Sequence, residues 1–139
     1  MGGMDILIDQ RVATPEEYRR LCEAVGWGDV MNFDAAARAL PGSLYGVVAV
    51  DGGEVGGMGR VVGDGEIFFY VQDVAVLPSH QGRGAGRAIL EALVGWVREH
   101  APDKALLGLF ASRGTEGFYR RHGFVVPTGD VGMFQVVRR

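Results

Sequence analysis

The chain has 139 residues, 47% of them hydrophobic and 22% charged, with one cysteine, 23 glycines and a formal net charge of −3. That length points to one domain spanning residues 1–139, and Cys22 alone can form neither an intramolecular disulfide nor a zinc site built on Cys pairs. No apolar run approaches the ~20 residues of a membrane span, and an acidic balance without a basic cluster argues against nucleic acid as a partner.

The start, Met1-Gly2-Gly3-Met4-Asp5, lacks the basic and apolar regions of a signal peptide, so a soluble cytoplasmic protein is expected. Met4 to Asp9 alternates as a first strand would. Thr14-Pro15-Glu16-Glu17 opens a helix, with Thr14 as N-cap and Glu17 closing a capping box. Tyr18, Leu21, Cys22 and Val25 follow at helical spacing, so Cys22 belongs to a buried face rather than to a reactive site. Gly26 is placed to end this helix. The loop from Gly26 to Phe33 carries Trp27 and Phe33, which either cap the core or line an acceptor pocket, and Asp34 to Leu40 reads as a short second helix stopped by Pro41.

Three β-branched runs follow, Leu44 to Val50, Val55 to Val62 and Ile67 to Leu77, separated by Asp-Gly and Gly-Gly turns. They form an antiparallel meander, and the seven glycines between Gly52 and Gly65 belong to its turns and flat strand positions. The pattern then switches to Gln81-Gly82-Arg83-Gly84-Ala85-Gly86-Arg87 and a strong helix ending near His100. Ala105 to Phe110 is apolar on both faces and is expected to be a central strand. A short helix from about Thr115 to His122 ends at Gly123. Phe124-Val125-Val126 and Met133 to Val137 read as two closing strands, whose apolar character allows pairing across a homodimer. The fold class is α/β (α+β), with a mixed, mostly antiparallel central sheet flanked by about four helices.

A glycine-rich loop between a strand and a helix gathers free backbone N–H groups and the positive end of the helix dipole, a site suited to phosphate. The loop lacks the Gly-Lys-Ser/Thr ending of a P-loop and the third glycine of a dinucleotide fingerprint, and it lies late in the chain. The run from Asp73 to Leu90, with Gln81, Gly84 and Gly86 in a Gln/Arg-x-x-Gly-x-Gly/Ala arrangement, resembles the signature of the GCN5-related N-acetyltransferase (GNAT) family. Phe118-Tyr119-Arg120-Arg121-His122-Gly123-Phe124 is similar to a second element of that family, and the order of elements matches its acyl-CoA N-acyltransferase fold along essentially the whole chain.

The resemblance implies acetyl-CoA as co-substrate and no metal. It assigns the pantetheine and carbonyl contacts to the backbone of Val74, Ala75 and Val76, and the pyrophosphate to Gln81, Gly82, Arg83, Gly84, Ala85 and Gly86, with charge added by Arg83 and Arg87. Ser112 stands where family members often carry Asn against the pantetheine arm, a departure that leaves one hydroxyl in place of an amide. Tyr119 is the implied acid for the leaving thiolate, because a phenol stays protonated at neutral pH. Asp73 is the candidate base, with Glu66 next. Strand alternation sets Asp73 opposite Gln72 and Val74 unless a bulge intervenes. His80, His100 and His122 are expected in solvated or capping roles.

Residues 1–70 carry 5 Lys and Arg against 11 Asp and Glu, and residues 71–139 carry 9 against 6. An acidic first half, with the first helices, their aromatic loop and Tyr45 or Tyr70 about the acceptor, favours a small cationic amine. A non-catalytic acyl-CoA-binding module, or an acetyltransferase for a protein lysine or N-terminus, are the alternatives.

Overall fold

The structure, a computed structural model, describes residues 6–139. Met4 and Asp5, the start of the expected first strand, lie outside the described residues. Five strands, β1 (Ile6–Asp9), β2 (Tyr45–Asp51), β3 (Glu54–Gly63), β4 (Phe68–Val76) and β5 (Leu106–Gly108), form one sheet in the order β1-β2-β3-β4-β5. All neighbours are antiparallel except β4 and β5. Four helices accompany it: α1 (Pro15–Ala24), α2 (Phe33–Ala39), α3 (Ala85–His100) and α4 (Glu116–Arg120).

The helices form where local chemistry starts and stops them. The Thr14 side chain accepts from the Glu17 backbone N–H, and the Glu17 carboxylate accepts from that of Thr14, so the expected capping box is complete. Arg11 adds two bonds to the same carboxylate, at 2.8 and 3.0 Å. α2 begins one residue earlier than expected, because Asn32 caps it by accepting from Ala35 N–H; this places Phe33 in the helix, edge-on to buried Tyr18.

Two apolar layers sandwich the sheet. On one face α3 buries Ile89, Leu90 and Leu93 completely against Val47, Val61, Phe69 and Val71, each worth about 2–3 kcal/mol in area removed from water. On the other, α1 packs Tyr18, Leu21 and Cys22 over Val48, Met58 and Ala75. Trp27 and Phe33 join this second layer, so the loop aromatics serve the core. Burial pushes the Cys22 thiol up to about 11, with the Asp73 carboxylate adding to it, as befits a structural thiol.

Glycine lets β3 lie close to its neighbours. A Cβ at Gly59 would stand 2.7 Å from Ile89 and 2.9 Å from Leu93, and one at Gly56 would stand 2.7 Å from the His80 ring.

The C-terminal third departs from expectation. β5 is three residues long and is an edge of the sheet rather than a central strand, with Leu106 48% exposed. α4 is shorter than the expected helix. Neither closing strand forms: every residue from 125 to 139 is exposed, including Val126, Met133, Phe134 and Val136. Apolar patterning fixes which segments can be strands, but pairing needs a partner edge, and none reaches these.

Candidate active site

The centre of the site is a bulge in β4. Met58 pairs with Ala75 and Arg60 with Gln72, so Gly59 alone opposes both Asp73 and Val74. Asp73 takes the left-handed conformation, φ 60°, which Asp tolerates better than most residues. A bulge leaves backbone groups unpaired in the ladder and flips the alternation. Val74 therefore joins the α3 layer, while Asp73 falls on the α1 face together with Gln72, whose partner Arg60 reaches that face. The expected opposition of Asp73 to Val74 holds; its opposition to Gln72 does not.

Asp73 is tightly held. Arg60 donates from Nε to Asp73 Oδ2 at 2.8 Å and from Nη1 to Ser43 Oγ at 3.1 Å. Tyr18, Met58, Arg60 and Asp73 line a narrow crevice under Val12 and Ala13. Burial, then the nearby Asp73 carboxylate, push the Tyr18 hydroxyl far up, so it is a neutral donor at any physiological pH. Arg60 and Tyr18 escaped the sequence reading because only the bulge brings them to Asp73.

Beyond β4, the glycine-rich loop singled out in the sequence joins β4 to α3. Leu77 leads into a 3-10 turn, Pro78–His80, and Gly82 and Gly84 adopt φ 77° and 85° before α3 begins. No side chain caps α3, whose N-cap is Gly84. Its first-turn N–H groups thus remain as donors beside an open cleft of about 270 Å³, lined by Val76, Gln81, Gly82, Gly84 to Arg87, and Phe118. A cradle of glycines and helix N–H groups fits a pyrophosphate. The Gln81 side chain serves the loop itself, donating to Val76 O at 3.1 Å.

Two further residues shape this loop and were missed. His80 is buried, 5% exposed, against the expectation of a solvated role. Its Nδ1 lies 2.8 Å from Ser79 Oγ and its Nε2 3.3 Å from Asp51 Oδ2. The same Asp51 oxygen accepts from Arg83 Nη2 at 3.0 Å, so the turn between β2 and β3 clamps the anion loop. The one signal in the sequence was Gly56, whose missing Cβ makes room for the imidazole. Arg87 pairs with Glu91 at 3.0 Å, and His100 and His122 bond the carbonyls of Trp96 and Phe118, the capping roles expected.

The α4 side brings Tyr119 half-buried against Phe124, rings 6.0 Å apart, while its neighbour Phe118 reaches the cleft. Burial raises the Tyr119 hydroxyl above its ordinary 10.0. Ser112 is exposed, and its carbonyl accepts from Thr115. Glu66 lies on an exposed turn organised by Asp64. Tyr45 stacks on Trp96 at 5.1 Å in the α3 layer, away from α1. Among the described residues no buried side-chain N or O atom lacks a hydrogen-bond partner, and no cluster of three or more potential metal ligands occurs. No helix among them is long and apolar enough to cross a membrane.

The chain is similar to known proteins along most of its length. Residues 41–126 match the family model for an acetyltransferase (GNAT) domain. A GNAT-family acetyltransferase of Streptococcus pneumoniae superposes with a TM-score of 0.79 at 31% identity, over 96% of this chain and 99% of that one. A Staphylococcus aureus protein described as a probable acetyltransferase superposes with a TM-score of 0.87 at 28% identity, over 96% and 99%. Among curated relatives, a histone acetyltransferase of Glycine max is 31% identical over 85% of this chain, and a chloroplastic serotonin N-acetyltransferase of Oryza sativa is 41% identical over 53%. The chain spans 55% and 36% of the length of those two relatives. With the family model covering more than half of its residues, the chain belongs to the GNAT acetyltransferase family.

Proposed function

We propose that residues 1–139 act as one N-acetyltransferase domain that moves acetyl from acetyl-CoA to a primary amine, a small cationic one, by direct attack within a ternary complex. The observation that carries this reading is the β4 bulge at Asp73 and Val74, followed about a dozen residues on by the uncapped start of α3 at Ala85. One strand thereby offers unpaired backbone donors near a reacting carbonyl and leads straight to a cradle for phosphates.

In this reading Val74, Ala75 and Val76 hold the pantetheine arm through their backbone, and Gln81 to Gly86 hold the pyrophosphate. Arg83 and Arg87 add positive charge, and Ser112 contributes a single hydroxyl near the arm. An N–H at the bulge donates to the thioester carbonyl oxygen as negative charge develops there. Asp73, its Oδ2 fixed by Arg60, accepts the amine proton through its other oxygen or through a water. Tyr119 donates a proton to the departing thiolate sulfur, a role that fits a half-buried phenol kept neutral. The acceptor approaches from the α1 and α2 side, where exposed Glu16, Asp29 and Asp34 favour a cation while Glu23 pairs with Arg19 at 3.2 Å. A reducing, cytoplasmic setting accords with the buried thiol of Cys22.

A protein lysine or N-terminus is the second reading, favoured by the histone acetyltransferase among the relatives. The test is release of free CoA thiol from acetyl-CoA across a panel of small amines and lysine peptides. Turnover with diamines or arylalkylamines supports the proposal, and turnover with peptides alone moves the acceptor to protein. Tight acetyl-CoA binding with no turnover on any amine overturns catalysis in favour of a binding module.

A further inference from the structure

Three side chains outside the glycine cradle converge at its rim. Asp51 closes β2, His80 ends the 3-10 turn that follows β4, and Arg83 stands between the left-handed Gly82 and Gly84. One oxygen serves both partners: Asp51 Oδ2 lies 3.3 Å from His80 Nε2 and accepts from Arg83 Nη2 at 3.0 Å. A carboxylate accepts, so Nε2 carries a hydrogen toward Asp51 while the Ser79 hydroxyl engages Nδ1 at 2.8 Å. The His80 ring is wedged against β3, where a Cβ at Gly56 would stand 2.7 Å from it, and Leu77 N–H anchors the start of the turn on Gly56 O at 2.8 Å. Glu54 is the lesser partner. Its Oε1 is 3.7 Å from Nε2, and its other oxygen faces Arg20 of α1 at 3.7 Å.

Residues 80 and 83 flank Gln81 and Gly82, so their shared anchor brackets the chain on both sides of a glycine at φ 77°. Gln81 adds a third tie by donating to Val76 O at 3.1 Å. Glycine loses more backbone freedom on being fixed than any other residue, and a ligand that must fix a loose loop binds more weakly than one that finds it ordered. We infer, resting on the reading that this loop takes the diphosphate of acetyl-CoA, that Asp51 and His80 are positioning residues for the acyl donor. Neither touches the phosphates. Both act through the backbone of residues 81–84, holding it in the conformation that presents its N–H groups before the cofactor arrives. The turn between β2 and β3 thereby serves cofactor affinity, and the imidazole is a strut between hairpin and loop rather than a base.

The test compares the unaltered chain with Asp51→Ala and His80→Gly. Hydrogen exchange without ligand comes first: amides of residues 81–86 should exchange about tenfold faster in either variant, while those from Ile89 to Val97 in α3 keep their rates. Calorimetry should then give a dissociation constant for acetyl-CoA raised about tenfold, and turnover assays a KM for acetyl-CoA raised alike with kcat at saturation held. A folding defect would lower kcat through the active fraction instead. Imidazole added to His80→Gly should restore the affinity by filling the space beside Gly56, and the same addition should leave Asp51→Ala unchanged. Unchanged affinity in Asp51→Ala overturns the inference alone. So does tighter binding, which would mean that Asp51 holds Arg83 back from the phosphates, or a loss of kcat with KM unchanged. No rescue in His80→Gly removes His80 from the role. An unaltered chain that binds no acetyl-CoA overturns the proposed function as well.

Discussion

The Arg60 guanidinium and the Asp73 carboxylate meet at 2.8 Å with their side chains only 17% and 13% exposed, across the point where β3 and β4 fall out of register. The pair holds the bulge in place on the α1 face, while Val74 beside it packs into the α3 layer. Removing one member strands the other in a poorly solvated place, at a cost of roughly 3 kcal/mol. Arg60→Met and Asp73→Asn should each lower stability by about that much in urea titrations. The double variant should lose clearly less than the sum of the two, because neither charge is then unpaired. Assayed below its melting point, Asp73→Asn should also lose about 100-fold in kcat if the carboxylate takes the amine proton. Loss of stability with kcat unchanged would reassign Asp73 to holding the bulge.

Tyr119 carries the complementary prediction. Tyr119→Phe keeps the ring packed on Phe118 and Phe124, so the fold and the KM for acetyl-CoA should hold. With no acid for the thiolate, kcat should fall about 100-fold, the lower range of general acid catalysis. Burial raises this hydroxyl, so the fraction able to donate a proton stays complete beyond the ordinary 10.0. Its deprotonation should therefore limit the rate only above that value. A variant with full turnover removes Tyr119 from the chemistry.

What the sequence could and could not disclose follows from which features are local. Thr14 and Glu17 cap α1 through atoms three residues apart, and the Gly84 turn into α3 is equally short-range, so both were legible. The bulge was not: it exists only as a mismatch between two strands, and nothing in Gln72-Asp73-Val74 announces an extra residue. Arg60 reaches Asp73, and Asp51 reaches His80 and Arg83, across the same kind of long-range register. The C-terminal runs failed in the opposite way. Their β propensity was read correctly, yet a strand is a pairing and not a property of one segment.

Gly86 separates ligand binding from folding. It sits in the first turn of α3, and a Cβ there would meet only Val76 at 3.8 Å and Phe118 at 3.9 Å, ordinary contact distances, on the wall of the cleft. Gly86→Ala should therefore leave stability unchanged or raise it by up to about 1 kcal/mol through helix propensity. The methyl group narrows the cradle, and the dissociation constant for acetyl-CoA, read by calorimetry, should rise roughly tenfold, or 1.4 kcal/mol. Unchanged affinity would place the phosphates elsewhere.

Glu17 makes a pH-dependent contribution whose sign is fixed by its partners. The Arg11 guanidinium bonded to its carboxylate, helped by the Thr14 backbone N–H, holds it below its ordinary 4.5 against the opposing effect of burial. A group lowered on folding stabilises the native state above its unfolded value, and that stability is lost as pH falls through the folded value. Glu17→Gln keeps the box hydrogen bond and removes the charge beside Arg11, so it should cost about 0.5–1 kcal/mol at neutral pH. The gap between variant and parent should shrink on acidification below 4.5 and close once the native carboxyl is protonated. Thermal unfolding of both chains across that range reads it directly. No difference between the two chains at any pH would show that the box acts through hydrogen-bond geometry alone, with no part for the Arg11 charge.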